Sequence, residues 1–455
     1  MTAPTGVRVA VPLLDGALVG RILDQDRHIL ADVPLQEVVS FLDRVGRLWK
    51  SQEFARRRIY VRQLQQLAGL SEKMAETEAD IIGVVLTSHA RMYDIIAADL
   101  GSARVLDDWV PREECHVRAL PRGLAVHLLS GNVPVASVLS VVRGLVTKNL
   151  CVVKPATDDL VTPVNLALSF LEVDEDHPVT RALTVAYWPQ GHPGGELVTR
   201  SADAVCVWGG AGAVSWARST ARPDAGFVAF GPKRSVALVG SGADTDLVAS
   251  ALAHDICHYD QRGCFSVQQV FVDRASAGLL VERLERALDE YARILPTGRW
   301  SIDDVGSVTL ARSEERFLGA EVRSAAGLDW TVVVCPPEPI WFHPLGRTVY
   351  VHPVESFSEC YRFIGPEVQT VAVAPWELSL AHRDALARLG VSRIVEVGLS
   401  NVFRPGGPHD GVYPLQQLVR FVAHESPASV YGKSLVARLD QTEIIRGGRY
   451  TDLML

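Results

Sequence analysis

The sequence predicts an α/β protein made of two doubly wound, Rossmann-like domains. Three observations lead there. Short runs such as 150–153, 204–207 and 330–334 are apolar almost throughout, not on alternate positions, as strands buried on both faces are. Helical patterns separate these runs, which implies parallel strands covered on both sides. The alternation starts near Val117, runs to a glycine at Gly231 and then begins again. A chain of 455 residues is also too long for one compact core.

In order, residues 7–14 alternate and read as a strand. Asp32-Val33-Pro34 opens a helix, with a capping acid and a proline in the first turn. Helical periodicity covers 35–49, 62–68 and 71–100, the last closed by Gly101. Strands are expected at 123–129, 150–153, 183–187 and 204–207, with helices at 133–146, 160–171 and 213–221. The second unit has strands at 235–239, 266–272, 330–334, 348–351, 368–373 and 393–397. Its helices are 244–259, 275–295 and 376–389. This divides the chain into 1–238, the opening helices plus a first α/β domain, 239–425, a second α/β domain, and 426–455, a polar tail suited to assembly.

Composition excludes several classes. Hydrophobic residues are 48% and charged residues 22%, which describes a globular protein. Lys plus Arg is 45 against 53 for Asp plus Glu, a net charge of −8 with no dense basic stripe, so no nucleic-acid partner is expected. The seven cysteines include no CxxC pair, and neither a disulfide framework nor a metal site is indicated. The N-terminus lacks the pattern of a signal peptide. Polar residues break the most apolar region, 123–153, so no membrane span is expected. The expected location is cytoplasmic.

Chemistry concentrates in Asp255-Ile256-Cys257-His258-Tyr259-Asp260-Gln261-Arg262-Gly263-Cys264-Phe265-Ser266-Val267-Gln268. A helical segment runs into polar residues and a glycine, then a cysteine, then a strand. A cysteine on such a turn can be rigid and still reach a substrate, as a nucleophilic thiol must. A buried structural cysteine fits the same spacing equally well.

Asp260-Gln261-Arg262-Gly263-Cys264-Phe265-Ser266 resembles the nucleophile segment of the aldehyde dehydrogenase superfamily. The longer string resembles that of its LuxC-type acyl-thioester reductases, the fatty-acid reductases of bacterial luminescence. The resemblance implies an aldehyde dehydrogenase-like fold with Cys264 as the nucleophile. Leu128-Leu129-Ser130-Gly131-Asn132-Val133-Pro134 joins a strand to a helix. Asn132 there can cap the helix or turn its amide to a substrate carbonyl. The stretch resembles the superfamily's Asn-Phe-Pro segment, which implies that Asn132 and the Cys264 N–H form an oxyanion hole. Cys151-Val152-Val153-Lys154-Pro155-Ala156-Thr157 ends a strand, where Lys154 is either an exposed cap or a ligand contact. It resembles Val-Lys-Pro-Ser, which implies that Lys154 meets the adenosine ribose of a dinucleotide. Thr157, where many NAD-preferring relatives carry Glu, removes repulsion of a 2′-phosphate and implies NADPH. Gly209, Gly210 and Gly212 lie in a strand-to-helix turn, as in any tight turn of this kind. Their place matches the superfamily's Phe-Thr-Gly-Ser turn and implies a pyrophosphate contact.

Two departures shape the reaction. The glutamate that activates water in the superfamily's Glu-Leu-Gly-Gly-Lys corresponds to Ala229 in Ala229-Phe230-Gly231-Pro232-Lys233. The glutamate of Glu-Ile-Phe-Gly-Pro corresponds to His343. An oxidising enzyme must hydrolyse its acyl-enzyme, whereas a reductase must protect it. Losing the base favours NADPH-dependent reduction of an acyl thioester, either acyl-CoA or acyl carrier protein, to an aldehyde. Pro408-His409-Asp410-Gly411 also fits the reductases. The alternatives are a CoA-acylating aldehyde dehydrogenase working oxidatively, a non-redox cysteine acyltransferase and a non-catalytic subunit. His254, His258 and His409 are candidates to assist proton movement. The superfamily implies a homo-oligomer.

Overall fold

The computed structural model describes residues 5–112, 115–340 and 342–425. The tail 426–455, read as an assembly segment, lies outside the described residues. Strands in chain order are β1 Val110–Pro111, β2 Cys115–Pro121, β3 Leu124–Leu128, β4 Leu150–Lys154, β5 Leu183–Val185, β6 Ala204–Trp208, β7 Gly226–Phe230, β8 Arg234–Val239, β9 Val267–Asp273, β10 Glu321–Ser324, β11 Thr331–Val334, β12 Thr348–Val354, β13 Val368–Ala374, β14 Arg393–Glu396 and β15 Val419–Glu425.

They form three sheets. The first has the order β5-β4-β3-β6-β7 and is all parallel. The second has the order β10-β11-β12-β9-β8-β13-β14 and is parallel except for the edge strand β10. A third, antiparallel sheet of β1, β2 and β15 stands apart. Both large sheets bury both faces, as their unbroken apolar runs require.

The first sheet grows from β3 outward through β4 and β5, then restarts on the other side with β6 and β7. The switch lies between β3 and β6, where α/β sheets open a crevice at their carboxyl ends. Only Gly231, Pro232 and Lys233 separate the end of β7 from the start of β8. The carboxyl edge of the first sheet therefore faces the amino edge of the second.

The opening helices wall this junction. Leu35–Lys50 and Glu72–Thr87 cross closely, and a Cβ on Gly46 would stand 2.7 Å from Leu86 Cβ. Trp49, fully buried, donates its indole N–H to Ser169 Oγ at 3.1 Å and ties these helices to the first sheet's covering helix Val161–Val173.

Four expectations are corrected. Residues 7–14 form no strand beyond an isolated bridge at Arg8, and the Leu14 N–H bonds the Tyr187 carbonyl. The helix expected over 71–100 breaks at Ser88, because the Thr87 and Ser88 hydroxyls bond the Gly83 and Val84 carbonyls and compete with the backbone ladder. The helix expected over 244–259 stops at Cys257, since His258 is extended and Tyr259 to Gln261 turn left-handed. The segment Val419–Glu425, placed at the end of the second domain, pairs with β2 instead, with all seven residues in register. Strand β2 and the helix Ile302–Phe317 were not anticipated.

The close crossing gives a stability prediction. Gly46→Ala should lower stability by about 1–3 kcal/mol through overpacking. Gly278→Ala, on the exposed face of Arg274–Ile294 with no atom within 4 Å of the added Cβ, should raise it by about 0.5–1 kcal/mol. Urea unfolding should move the two midpoints in opposite directions.

Candidate active site

The amino edge of the second sheet brings four side chains together. Ser235 is the second residue of β8, Cys264 precedes β9, Gln369 lies in β13 and Arg393 begins β14. Ser235 Oγ donates to the Cys264 carbonyl at 2.8 Å and fixes the cysteine's backbone. Gly263 is required by contact: the Phe265 ring would lie 2.6 Å from a Cβ there.

The approach to Cys264 is unusual. Tyr259, Asp260 and Gln261 have φ of 53°, 49° and 66°, three consecutive left-handed residues with no glycine among them. Each such residue costs about 1–2 kcal/mol, so roughly 3–6 kcal/mol must be offset by the surroundings. The Tyr259 hydroxyl donates to Glu78, a fully buried carboxyl on Glu72–Thr87. Burial raises the Glu78 pKa to about 8, so the pair holds a proton at neutral pH. The Gln261 amide spans Val267 and Thr348, donating to their carbonyls at 2.8 and 2.6 Å and accepting from the Thr348 N–H at 2.9 Å.

Cys264 opens onto a cavity of about 1090 Å³ that Asn132 also lines. Asn132 does not cap its helix; the cap is Val133, without a side-chain bond. Instead the Asn132 amide donates to the Arg262 carbonyl at 2.9 Å, which joins the first domain to the turn carrying Cys264. Burial, aided by the negative charge of Asp410, raises the Cys264 pKa to about 11; a hydrogen bond from Gln369 works the other way. At neutral pH the resting group is therefore a thiol. Gln369 Nε2 donates to Asp410 Oδ1 at 2.5 Å. Burial also raises the Asp410 pKa, against Gln369 and the cations Lys233, Arg143 and Arg393.

The histidines separate. His409 lines the cavity, stacked on Phe403 at 5.0 Å and beside Phe230 at 4.4 Å. Its Nδ1 accepts from Arg143 at 3.1 Å, because a guanidinium can only donate, which puts the ring proton on Nε2. Burial and the nearby arginines keep His409 neutral. His258 also lines the cavity, lowered by burial to about 4. His254 bonds the Tyr291 hydroxyl at 2.7 Å, away from the lining. His343 lies outside this cavity and accepts from the Leu345 N–H at 3.0 Å. Cys257 is buried, raised to about 12 and a poor thiolate.

The dinucleotide residues lie at the first sheet's carboxyl edge. Lys154 ends β4, its Nζ 5.7 Å from the Tyr187 ring, and exposed Thr157 follows in the loop. Gly209 and Gly210 follow β6, and Gly210 caps the helix Ala211–Thr220 with no side-chain bond. Nothing lies within 4 Å of a Cβ on Gly210 or Gly212. An uncapped helix N-terminus beside the switch point suits an anionic pyrophosphate, so these residues fit a dinucleotide. Ala229 packs into the core beneath β7; the side chain from this strand that reaches the cavity is Phe230.

Sequence reasoning missed Gln369, Arg393 and Arg143, which carry no local motif. Asp410 was visible only as part of Pro408-His409-Asp410-Gly411. The apolar lining contributed by Val84, Met92, Ile95, Ile96, Leu139 and Val142 was also missed, since its helices showed only ordinary apolar periodicity.

A family model described as acyl-CoA reductase (LuxC) matches residues 30–421. The long-chain acyl-protein thioester reductase of Aliivibrio fischeri is 41% identical over 446 residues, covering 97% of this chain and 93% of its own. The reductase of the same name from Vibrio harveyi is 39% identical, covering 92% and 89%. Among solved structures, an aldehyde dehydrogenase from Brucella melitensis biovar abortus matches with a TM-score of 0.75 at 14% identity, covering 93% of each chain. A glyceraldehyde-3-phosphate dehydrogenase from Methanocaldococcus jannaschii complexed with NADP gives 0.72 at 14%, covering 93% and 97%. The fold is thus that of the aldehyde dehydrogenases, and the chain belongs to the acyl-CoA reductase (LuxC) family of oxidoreductases.

Proposed function

We propose that this protein reduces an acyl thioester to an aldehyde with NADPH, through an acyl intermediate on Cys264. The observation that carries the reading is one cavity with three chemically distinct parts. Its lining includes Cys264 and Asn132, Gly209 and Gly210 of the turn after β6, and an apolar wall from the helices. The division of labour follows: the first α/β unit holds the dinucleotide and the second carries the nucleophile.

Lys154 would meet the adenosine ribose and the N–H groups near Gly210 and Gly212 would take the pyrophosphate, with Gly209 admitting the close approach. Neutral Thr157 leaves room for a 2′-phosphate. A bound nicotinamide cofactor supplies the hydride. Cys264 passes its proton to Asp410 and attacks the thioester carbon; a C–S bond forms as the donor's C–S bond breaks. The departing thiolate recovers the proton from Asp410. A primary amide has two hydrogens. Asn132 spends one on Arg262 and offers the other, with the Cys264 N–H, to the developing oxyanion, where one such donor is worth about 3–4 kcal/mol. After reduction, the hemithioacetal on Cys264 collapses to free aldehyde and thiol. Ala229 carries no carboxylate, and Phe230, the residue of β7 that reaches the cavity, presents none either, so neither activates water against the acyl-enzyme.

The apolar wall formed by Glu72–Thr87, His89–Leu100 and Pro134–Val146 suits a long hydrocarbon chain, in keeping with the names of the relatives. The donor is acyl-CoA or an acyl-carrying protein. The site works in the cytoplasm, in a homo-oligomer as the superfamily suggests.

Two predictions follow from this mechanism. Mixed with acyl-CoAs, the protein should consume NADPH and form aldehyde one for one, faster with long chains than with acetyl-CoA, and Cys264→Ala should abolish both. Thioester cleavage without NADPH consumption would indicate acyl transfer instead. The high Cys264 pKa also has a sign. Only the thiolate reacts, so alkylation of Cys264 by iodoacetamide should rise about tenfold per pH unit from pH 7 to 9, still climbing toward about 11. A plateau below pH 8 would contradict the buried-thiol description.

A further inference from the structure

The turn that carries Cys264 has a counterpart. Leu345, Gly346 and Arg347, just before β12, have φ of 59°, 62° and 56°, a second run of three left-handed residues. The two turns clasp each other. Arg347 reaches Asp260 Oδ1 with Nε at 2.9 Å and Nη2 at 2.7 Å. The Gly298 N–H donates to Asp260 Oδ2 at 3.0 Å. One residue along each turn, Gln261 and Thr348 exchange hydrogen bonds. Arg347 is 0% exposed and Asp260 6%. Trp300 closes the second turn, its ring 2.6 Å from where a Cβ on Gly346 would be.

Two features speak against a merely stabilising role. A buried ion pair gains little net stability over apolar residues of the same size, because desolvating both charges cancels the attraction. What it does supply is a single geometry. Asp260 and Arg347 also lie outside the cavity lining, whereas Tyr259 and Arg262, on either side, are in it. The pair thus acts on the cavity through the backbone.

We propose that Asp260 and Arg347 are positioning residues, which lock the left-handed turn so that the Cys264 thiol and the Arg262 carbonyl meet Asn132 in one arrangement. This rests on the reading of Cys264 as the nucleophile. With the clasp intact, attack on the thioester proceeds from a fixed distance. Without it, the turn relaxes toward commoner backbone conformations and the thiol leaves its line of approach, while the dinucleotide residues on the first sheet are untouched.

The test compares Asp260→Asn/Arg347→Met, Arg347→Lys and Cys264→Ala with the unaltered full chain. The double variant removes both charges together, and Asn tolerates left-handed φ. Measured are the single-turnover rate of acyl transfer from a long-chain acyl-CoA to the protein, the NADPH dissociation constant by fluorescence, and the unfolding midpoint. The double variant should fold and bind NADPH within about twofold of the parent, and acylate about a hundredfold more slowly. Arg347→Lys, which keeps the charge without the fork, should lose about tenfold. Acylation by the double variant within threefold of the parent would overturn the proposal. So would a loss matched by equal losses in NADPH binding and stability, or failure of the double variant to fold, because the pair would then support the whole domain and not one turn. Undiminished acylation of Cys264→Ala would sink the nucleophile assignment itself, which separates the two failures.

Discussion

A thiol at the edge of a sheet reaches a carbonyl only if the chain leading to it leaves the core at one defined place. Here Tyr259, Asp260 and Gln261 make that exit in a conformation that L residues avoid. Every side chain in the turn is tied down: Tyr259 to Glu78, Asp260 to Arg347, and Gln261 to Val267 and Thr348. These partners come from an opening helix, from the turn before β12, and from β9 and β12 themselves. Segments distant in sequence thus converge on one turn, and its strain is offset by their contacts.

The placement of the two large sheets does the rest. The carboxyl edge of the first offers glycines and an uncapped helix, which suit an anionic cofactor. The amino edge of the second offers Ser235, Cys264, Gln369 and Arg393. The linker of Gly231, Pro232 and Lys233 is too short to hold these edges far apart. Asn132, bonded to Arg262, spans the gap directly. The break at Ser88 bends two helices around the remaining side, so the opening helices, which carry no chemistry of their own, shape the cavity.

Much of this was legible in the sequence. Parallel strands buried on both faces leave unbroken apolar runs, and most strands were placed to within two residues of their ends. Cys264, Asn132, Lys154 and the glycines near 210 were singled out because each lies at a junction of strand and helix and its segment resembles a motif of the superfamily. The helix end at Cys257 was not legible: His258 and Tyr259 continue the helical pattern, and only distant partners hold Tyr259, Asp260 and Gln261 left-handed. Gln369 and Arg393 were silent because single polar residues in apolar strands resemble ordinary satisfied core groups. The segment Val419–Glu425 was assigned by proximity in sequence, whereas its pairing with β2 is a long-range choice of backbone partners.

The half-buried thiol, the charge of Asp410 acting on it and the lack of a carboxylate on the cavity side of β7 suit the proposed nucleophile, which would hold an acyl group and shield it from water. The most direct measurement is to expose the protein to a long-chain acyl-CoA without NADPH, digest it and locate the acyl group by mass spectrometry. The account predicts one acyl group, on the peptide containing Cys264, discharged as aldehyde when NADPH is added. An acyl group on another residue, or aldehyde formation with no acylated peptide under any condition, would contradict it.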